Sequence, residues 1–165
     1  MAALGDDFTS ATGQFVLTTP STTASDDDNQ GIWWLVPPTP DTGLSLPTLP
    51  AGWAYEGWVV GPSGPVTTGR FTDPAAADSD LAGPTAGTDS DGPAFPGQDF
   101  ITPPVDLTTE HMAVISVEPE PDNDPAPFQI KPLGGAIGTD LAPTPQSHTN
   151  IAADNNPSGT ATFDP

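Results

Sequence analysis

Cysteine is absent from this sequence of 165 residues, and its absence removes several kinds of chemistry. Without thiols the chain cannot form a disulfide, a zinc ribbon, a thiol redox couple or a cysteine nucleophile. The absence does not settle the compartment. It does mean that the fold must be held without covalent cross-links.

Basic residues are almost absent as well, because 2 lysines and arginines stand against 22 aspartates and glutamates, a formal charge of −20. The usual magnitude for a small soluble domain is about 2 to 8. Nucleic acid and anionic membranes are therefore not expected as partners. Dense aspartates are typical either of a halophilic surface, where salt near 1 M screens charges beyond about 3 Å, or of divalent-cation binding. Both interpretations stay open.

Long apolar segments are missing too. The first residues, MAALGDDFTSA, contain neither the basic region nor the apolar run of a signal peptide, and no segment has the length and hydropathy of a membrane span. We expect no direct membrane insertion by this chain, and we place any signal or anchor outside it.

Proline and glycine are abundant, with 23 and 17 residues beside a hydrophobic share of 35%. Both residues favour short strands and loops over helices, because proline removes a backbone donor and glycine raises the entropic cost of ordering. Apolar runs rich in β-branched and aromatic residues recur without a 3.6-residue period. They predict an all-β fold, an antiparallel β-sandwich of about seven to eight short strands with long loops. The runs are 14–18, 32–36, 44–46, 54–60, 66–72, 113–118 and 128–131.

The same pattern divides the chain into three parts. Residues 1–12 are an N-terminal extension, residues 13–134 the sandwich, and residues 135–165 a weakly ordered C-terminal tail or terminal strand, with 161–163 as the strand. Inside the sandwich, residues 73–111 form a long acidic loop. A loop of this length in a compact domain is usually functional, or is held by something other than its own core.

The segment YEGWVVGPSGPVTTGRF, residues 55–71, predicts a hairpin and contains the only arginine. Opposed residues of an antiparallel pair have indices of constant sum, so a turn centred on Ser63 places Glu56 opposite Arg70. We interpret these two as a structural ion pair that fixes the strand register. The alternative is that Arg70 binds a carboxylate ligand, which needs an exposed guanidinium in a concave site.

This register also pairs Trp58 with Thr68 and Gly57 with Gly69. The glycine pair leaves a hollow on the hairpin that a tryptophan ring can fill, from Trp33 or Trp34. The predicted core aromatics are Trp33, Trp34, Tyr55, Trp58 and Phe71.

Aspartates of the long loop are candidate metal ligands. The stretch GTDSDGPAFPGQ has aspartate and glycine at some EF-hand positions, but it lacks the first ligand and the final glutamate. The hypothesis is therefore a calcium site of another type, based on the density of hard oxygen ligands. Its candidate ligands are Asp78, Asp80, Asp89, Asp91 and Asp99.

Several phrases resemble one protein family. GQFVLTTP, GIWWL, LSLPTLPAGWAYEGWVV, GPVTTGRF and DLTTEHMAVISVEPEPDNDPAPFQIKPL are similar to the C-terminal extracytoplasmic domain of anti-sigma-K factor-like proteins, over residues 13–134. The resemblance implies a β-sandwich that senses or binds something outside the cytoplasm, whether secreted, periplasmic or at the cell surface. The sequence has neither the transmembrane helix nor the helical sigma-binding region of the complete family, so we do not expect this chain to sequester a sigma factor by itself.

Enzyme signatures are few. His111 and His148 stand outside any known catalytic motif, and most carboxylates lie in loops where solvation works against the raised pKa of an acid catalyst. We expect a non-enzymatic sensor or ligand-binding module whose partner is an unknown extracellular ligand or protein. The alternative is a self-assembling surface subunit, a homo-oligomer joined through loops and tail, with acidic loops that bind cations.

Overall fold

The computed structural model describes residues 4–24, 26–89, 91–155, 159–160 and 162. Within them the chain forms twelve strands, one short helix and a 3-10 turn at Asp28–Gln30. The strands are β1 (Thr12–Leu17), β2 (Gly31–Trp33), β3 (Leu35–Val36), β4 (Asp41–Thr42), β5 (Leu44–Ser45), β6 (Trp53–Gly61), β7 (Gly64–Phe71), β8 (Gly97–Asp99), β9 (Met112–Pro119), β10 (Leu133–Ala136), β11 (Gln146–Ser147) and β12 (Thr149–Asn150); the helix is α1 (Ala152–Asn155). No helix of the described residues is long and apolar enough to cross a membrane.

Two antiparallel sheets make up most of the structure. Sheet I has the order β11-β1-β2-β8, with β5 also paired to β1, and sheet II has the order β12-β10-β9-β6-β7. The predicted all-β, sandwich-like fold is confirmed. The strand count exceeds the prediction because run 32–36 splits into β2 and β3, and because β4, β8, β10, β11 and β12 are too short and polar or glycine-rich to stand out. Run 128–131 is not a strand, although the Ile130 carbonyl accepts a hydrogen bond from the Val117 amide.

The main core lies between the sheets and uses alternate positions of each long strand. Burying a large apolar side chain contributes about 1.5 to 3 kcal/mol, so this layer dominates the stability of the fold. A smaller cluster on the other face of sheet I packs beneath the long loop, so sheet I is covered on both faces. The main core includes Phe15, Trp34, Tyr55, Phe71, Ile115 and Leu133, and the smaller cluster contains Val16, Trp33, Leu35 and Ala82.

The hairpin of β6 and β7 has the expected register at its open end only. Glu56 lies opposite Arg70, but Trp58 pairs with Thr67 rather than Thr68, because a bulge interrupts the ladder between Glu56 and Trp58. Gly69 has φ +101°, a conformation that L side chains rarely adopt and that is typical of bulges. Beyond the bulge Val66 lies opposite Val59, so the two side chains share one face of the hairpin.

The long loop 73–111 is ordered by its own strand and by two buried aspartates. β8 adds to the edge of sheet I, opposite β2. The Asp78 carboxylate accepts a hydrogen bond from the Gly97 amide of β8 at 2.8 Å, and the neighbouring Ser79 amide donates to the Arg70 carbonyl of β7 at 2.9 Å. Residues 78–79 therefore bridge the edge strands of the two sheets and cover the open edge of β7.

The opposite side of the sandwich is closed by part of the predicted tail. β11 pairs with β1 in sheet I and β12 pairs with β10 in sheet II, and His148 alone separates them. The Asn150 side chain donates to carbonyls of Phe8, Thr9 and Ala11, which holds the N-terminal extension. Residues 161 and 163 of the predicted terminal strand lie outside the described residues.

Candidate functional site

The outer face of sheet II carries a buried polar network instead of a solvated surface. Trp58 donates from Nε1 to the Ser116 hydroxyl at 2.8 Å, and that hydroxyl donates to Glu118 Oε1. The Phe128 amide donates to the same carboxylate oxygen at 2.8 Å. Burial raises the pKa of Glu118, and these hydrogen bonds oppose the shift. The network thus holds a buried carboxyl on the face that a two-layer sandwich would expose.

Glu56 lies on the same face of the adjacent strand. Its Oε1 accepts a hydrogen bond from the Thr67 hydroxyl at 2.5 Å, and its Oε2 lies 3.5 Å from Arg70 Nε. Burial raises the pKa of Glu56 to about 7, against the lowering effects of Thr67 and of the guanidinium. The sequence reasoning placed most carboxylates in solvated loops, and the buried Glu56, Asp78, Asp99 and Glu118 depart from that pattern.

Arg70 joins the hairpin to the turn that follows β9. Its Nη2 lies 2.6 Å from Glu120 Oε1 and donates to the Pro119 carbonyl at 3.2 Å, while Nη1 is 3.4 Å from the Asp122 carbonyl. Lys131, the other basic residue, donates from Nζ to the Phe128 carbonyl nearby at 2.6 Å. Both cations of the chain are therefore engaged with the loop 119–131 and with the carboxylates around it.

A pocket of about 440 Å³ opens beside this network, and we call it the Arg70 pocket. It lies between the turn after β9, the β6–β7 ribbon and residues 72–79. Its wall is apolar at three alanines and a phenylalanine and polar elsewhere. The lining residues are Ala54, Arg70, Phe71, Thr72, Asp73, Ala76, Ala77, Asp78, Ser79 and Glu120.

Asp78 and Asp73 supply the far wall of the pocket. Asp78 is 7% exposed, with Oδ2 bonded to the Gly97 amide and Oδ1 to the Asp80 amide at 3.1 Å. Burial raises the pKa of Asp78 to about 7. Asp73 is exposed and accepts a hydrogen bond from the Ala75 amide at 2.9 Å.

Three acidic side chains and one guanidinium line the Arg70 pocket. The guanidinium is matched by Glu120 and by Glu56, which leaves the carboxylates of Asp73 and Asp78 without a basic partner among the described residues. The Arg70 side chain is 23% exposed, but Glu120 and two carbonyl oxygens already occupy its terminal nitrogens. A carboxylate ligand would therefore have to displace Glu120.

The five aspartates of the calcium hypothesis are not gathered into one cluster. Asp99 is fully buried and accepts hydrogen bonds from the Ser21 amide and hydroxyl and from Trp33 Nε1, with its pKa raised by burial. Asp78 serves the bridge to β8, whereas Asp80, Asp89 and Asp91 are exposed. Among the described residues no group of three histidine or acidic side chains is placed to hold a metal ion. Calcium binding stays a prediction.

The five predicted aromatics are all buried, but in three different places. Trp34, Tyr55 and Phe71 belong to the main core, Trp33 to the smaller cluster, and Trp58 to the polar network. A Cβ on Gly57 would come within 2.6 Å of the Trp34 ring, so Trp34 fills the hollow that the glycine leaves. A Cβ on Gly69 would instead contact the Asp78 side chain.

Sequence reasoning missed Glu118, Glu120, Asp73 and Ser79 as parts of the site. Alternation does place Glu118 and Glu56 on one face once β6 and β9 are known to be neighbours, with Glu56 opposite Ser116. That pairing joins segments about sixty residues apart, and no local signal reports it.

The comparisons with known proteins add no relative: no family model, no curated protein and no solved structure matches this chain.

Proposed function

We propose that this chain is a non-catalytic β-sandwich module that binds a ligand outside the cytoplasm, as its resemblance to the anti-sigma-K factor-like domain implies, and that the Arg70 pocket is the binding site. The observation that carries the proposal is the make-up of this pocket. Two carboxylates without a basic partner among the described residues line a concave surface that also contains three alanines, a phenylalanine, two hydroxyl side chains and the paired Arg70 and Glu120.

The ligand that suits this surface is a small organic cation with a short apolar body. An ammonium group would be attracted to Asp73 and Asp78, and it would lower the cost of ionising the buried Asp78. The small side chains of Ala54, Ala76 and Ala77 leave room for aliphatic carbons. The charge of −20 draws cations toward the whole molecule, so the pocket must be distinguished from the general field.

The buried carboxyls support a non-catalytic role. A raised pKa, as in Glu56, suits an acid catalyst, but such a group must also reach a substrate. Glu56 is 5% exposed and Glu118 1% exposed, and both are engaged in hydrogen bonds. Their position favours a structural role beneath the binding surface.

An NMR titration with n-butylamine at pH 8 and constant ionic strength tests the proposal. We expect amide shifts concentrated in residues 72–79 and 119–120, and no such shifts with butyrate. Asp73→Asn keeps the oxygen that accepts from the Ala75 amide and removes the charge, so it should weaken binding about two- to fivefold. Asp140→Asn, at another exposed aspartate, controls for the loss of one charge. Shifts spread evenly over the acidic surface, or equal shifts with butyrate, would reject the Arg70 pocket as the site.

The alternative proposal is the self-assembling surface subunit. One observation favours it: an apolar slot of about 110 Å³ at the tip of the hairpin, lined by Val59, Val66, Phe100 and Val105, with Val66 47% exposed. A side chain from a second copy would fit there. Residues 146–150, by contrast, pair with the chain's own sheets, so assembly through them would first require their release. An apparent molecular mass from light scattering that rises with protein concentration would favour assembly. Val66→Asp should abolish this rise.

A further inference from the structure

Residues 146–155 close one side of the sandwich, and we call them the clasp. β11 hydrogen-bonds to β1 in sheet I, and β12 hydrogen-bonds to β10 in sheet II. His148 is the single residue between these two strands, and its amide donates to the Gly13 carbonyl at 2.8 Å. A displacement of the His148 backbone would therefore disturb the pairing of both strands.

The imidazole of His148 packs against two core aromatic rings, although His148 as a whole is only half-buried. It lies parallel to the Trp34 ring, at 4° with centroids 6.5 Å apart, and 5.1 Å from the Phe15 ring. The Trp34 indole donates from Nε1 to His148 Nε2 at 2.9 Å. An indole N–H is only a donor, so Nε2 must be the unprotonated nitrogen and the neutral ring carries its hydrogen on Nδ1. Nδ1 is buried without a hydrogen-bond partner in the part of the chain that the structure describes.

No ionisable side chain is found around the ring in the described residues, although the ring borders a pocket of about 560 Å³ that polar side chains line in part. Elements packed against the ring contribute Gly13 and Phe15 from β1, Trp34 after β2, Leu44 from β5 and Leu133 from β10, none of them ionisable. No charged side chain in the described residues acts on it, and burial lowers the pKa of His148 to about 4.

We propose that His148 makes the clasp an acid-sensitive latch, in which a proton on Nε2 drives the ring out of the core and releases residues 146–155 from both sheets. The protonated ring would direct Nε2–H at the Trp34 N–H, so that two donors would face each other around a buried charge. Release would also free the N-terminal extension, because Asn150 in the clasp binds the carbonyls of Phe8, Thr9 and Ala11.

Hydrogen exchange measured by mass spectrometry between pH 4 and 7 tests the latch. After correction for intrinsic exchange, the opening equilibrium constant of the clasp should rise about tenfold for each unit of pH below about 6.5, because opening takes up one proton. Peptides from β6 should stay protected over the same range, which separates release of the clasp from global unfolding. His148→Gln, whose side-chain oxygen can accept from Trp34, should abolish the dependence, and His111→Gln should retain it.

Two results would overturn the latch: an unchanged pH dependence in His148→Gln, or simultaneous loss of protection in β6 and the clasp. If His148→Gln does not fold, NMR of the imidazole in the unaltered chain decides the question. The latch requires the His148 resonances to move to a solvent-exposed environment at the same pH at which the clasp loses protection. Protonation while the clasp remains protected would refute it.

Discussion

Glu56 is the residue whose environment differs most from its composition-based expectation. In a chain with 22 acids its carboxylate is one of the few that face a guanidinium, yet burial still raises its pKa to about 7. Desolvation therefore outweighs the attraction of Arg70, which is 3.5 Å away and shared with Glu120. The ion pair therefore links the two strands of the hairpin, but it does not lower the pKa of Glu56 below its ordinary value.

The pH dependence of stability should reveal this balance. Because the folded-state pKa of Glu56 is raised from 4.5 to about 7, its stabilising contribution is complete below pH 4.5 and is lost as the pH rises through 7. The loss amounts to about 3 kcal/mol, at 1.36 kcal/mol for each pKa unit. The free energy of unfolding, measured with urea, should decrease between pH 4.5 and 8. We expect this decrease to be smaller in Glu56→Gln than in the unaltered chain.

A matched substitution controls for charge. Glu110→Gln removes an exposed glutamate from the turn before β9, outside the polar network. If Glu56→Gln and Glu110→Gln change the pH dependence alike, the burial of Glu56 does not control it. His148 acts with the opposite sign, because its lowered pKa removes stability as the pH falls from 6.5 toward 4, so the comparison must be made between variants and not from a single curve.

The sequence predicts the cross-strand pairing at the open end of the hairpin correctly, but not the pairing toward its tip. A constant index sum was enough to place Glu56 opposite Arg70. It could not place Trp58 or Val66, because one bulged residue at Gly69 shifts everything toward the tip. A glycine in a strand is a weak bulge signal, and two structural facts explain why glycine is needed here: its φ of +101° and its contact with Asp78.

At the scale of secondary-structure elements, two segments cover edges of the sheets. Residues 78–79 cover β7, and the clasp joins β11 to β12, so two of the sides on which strands could pair with another chain are occupied. These covering segments come from the acidic loop and the tail, the parts with the weakest strand pattern. The loop is thus held by β8 and by buried carboxylates, which fits the expectation that something other than its own apolar core orders it.

A glycine comparison tests the bridge over β7. Gly69 and Gly64 have nearly equal φ, +101° and +103°, but a Cβ on Gly69 would lie 2.4 Å from Asp78 Cγ, whereas one on Gly64 meets nothing within 4 Å. Gly64→Ala should cost about 1 to 3 kcal/mol of unfolding free energy from backbone strain. Gly69→Ala should cost about 1 to 3 kcal/mol more, because Asp78 must leave the Gly97 amide unpaired.

A double variant makes this comparison specific. In an Asp78→Gly background the whole side chain is gone, including the Cβ that would lie 2.8 Å from a Cβ on Gly69, so Gly69→Ala should cost no more than Gly64→Ala, as measured by urea unfolding. Equal costs of the two glycine substitutions in the unaltered chain would mean that Asp78 does not pack on β7 in the manner described.

The short strands mark the limit of what sequence could predict. β8, β11 and β12 hold two or three residues each, with no alternation long enough to read, and they are strands because a long neighbour offers its edge. The same limit applies to the candidate site. Arg70 could be chosen for its rarity, but Asp73, Ser79 and Glu120 join it through contacts between loops, which local patterns do not encode.

For the molecule as a whole, the charge is distributed unevenly between interior and surface. Arg70 and Lys131 are both engaged with the loop 119–131, so the outward-facing charges are overwhelmingly carboxylates. Self-repulsion among them opposes the compact state, and salt reduces it because the screening length falls from about 10 Å at 0.1 M to about 3 Å at 1 M. A halophilic surface and a calcium site therefore predict different responses to ions.

We expect the thermal midpoint to rise with sodium chloride between about 0.1 and 1 M, and calcium chloride at equal ionic strength to raise it no further, because screening depends on ionic strength. Magnesium chloride at the same concentration is the control for divalent charge. A larger gain with calcium than with magnesium would contradict a purely screened surface and favour a site among Asp78, Asp80, Asp89, Asp91 and Asp99. Light scattering on the same samples separates stabilisation of single chains from assembly, since a halophilic monomer gains stability with salt while its scattering stays constant.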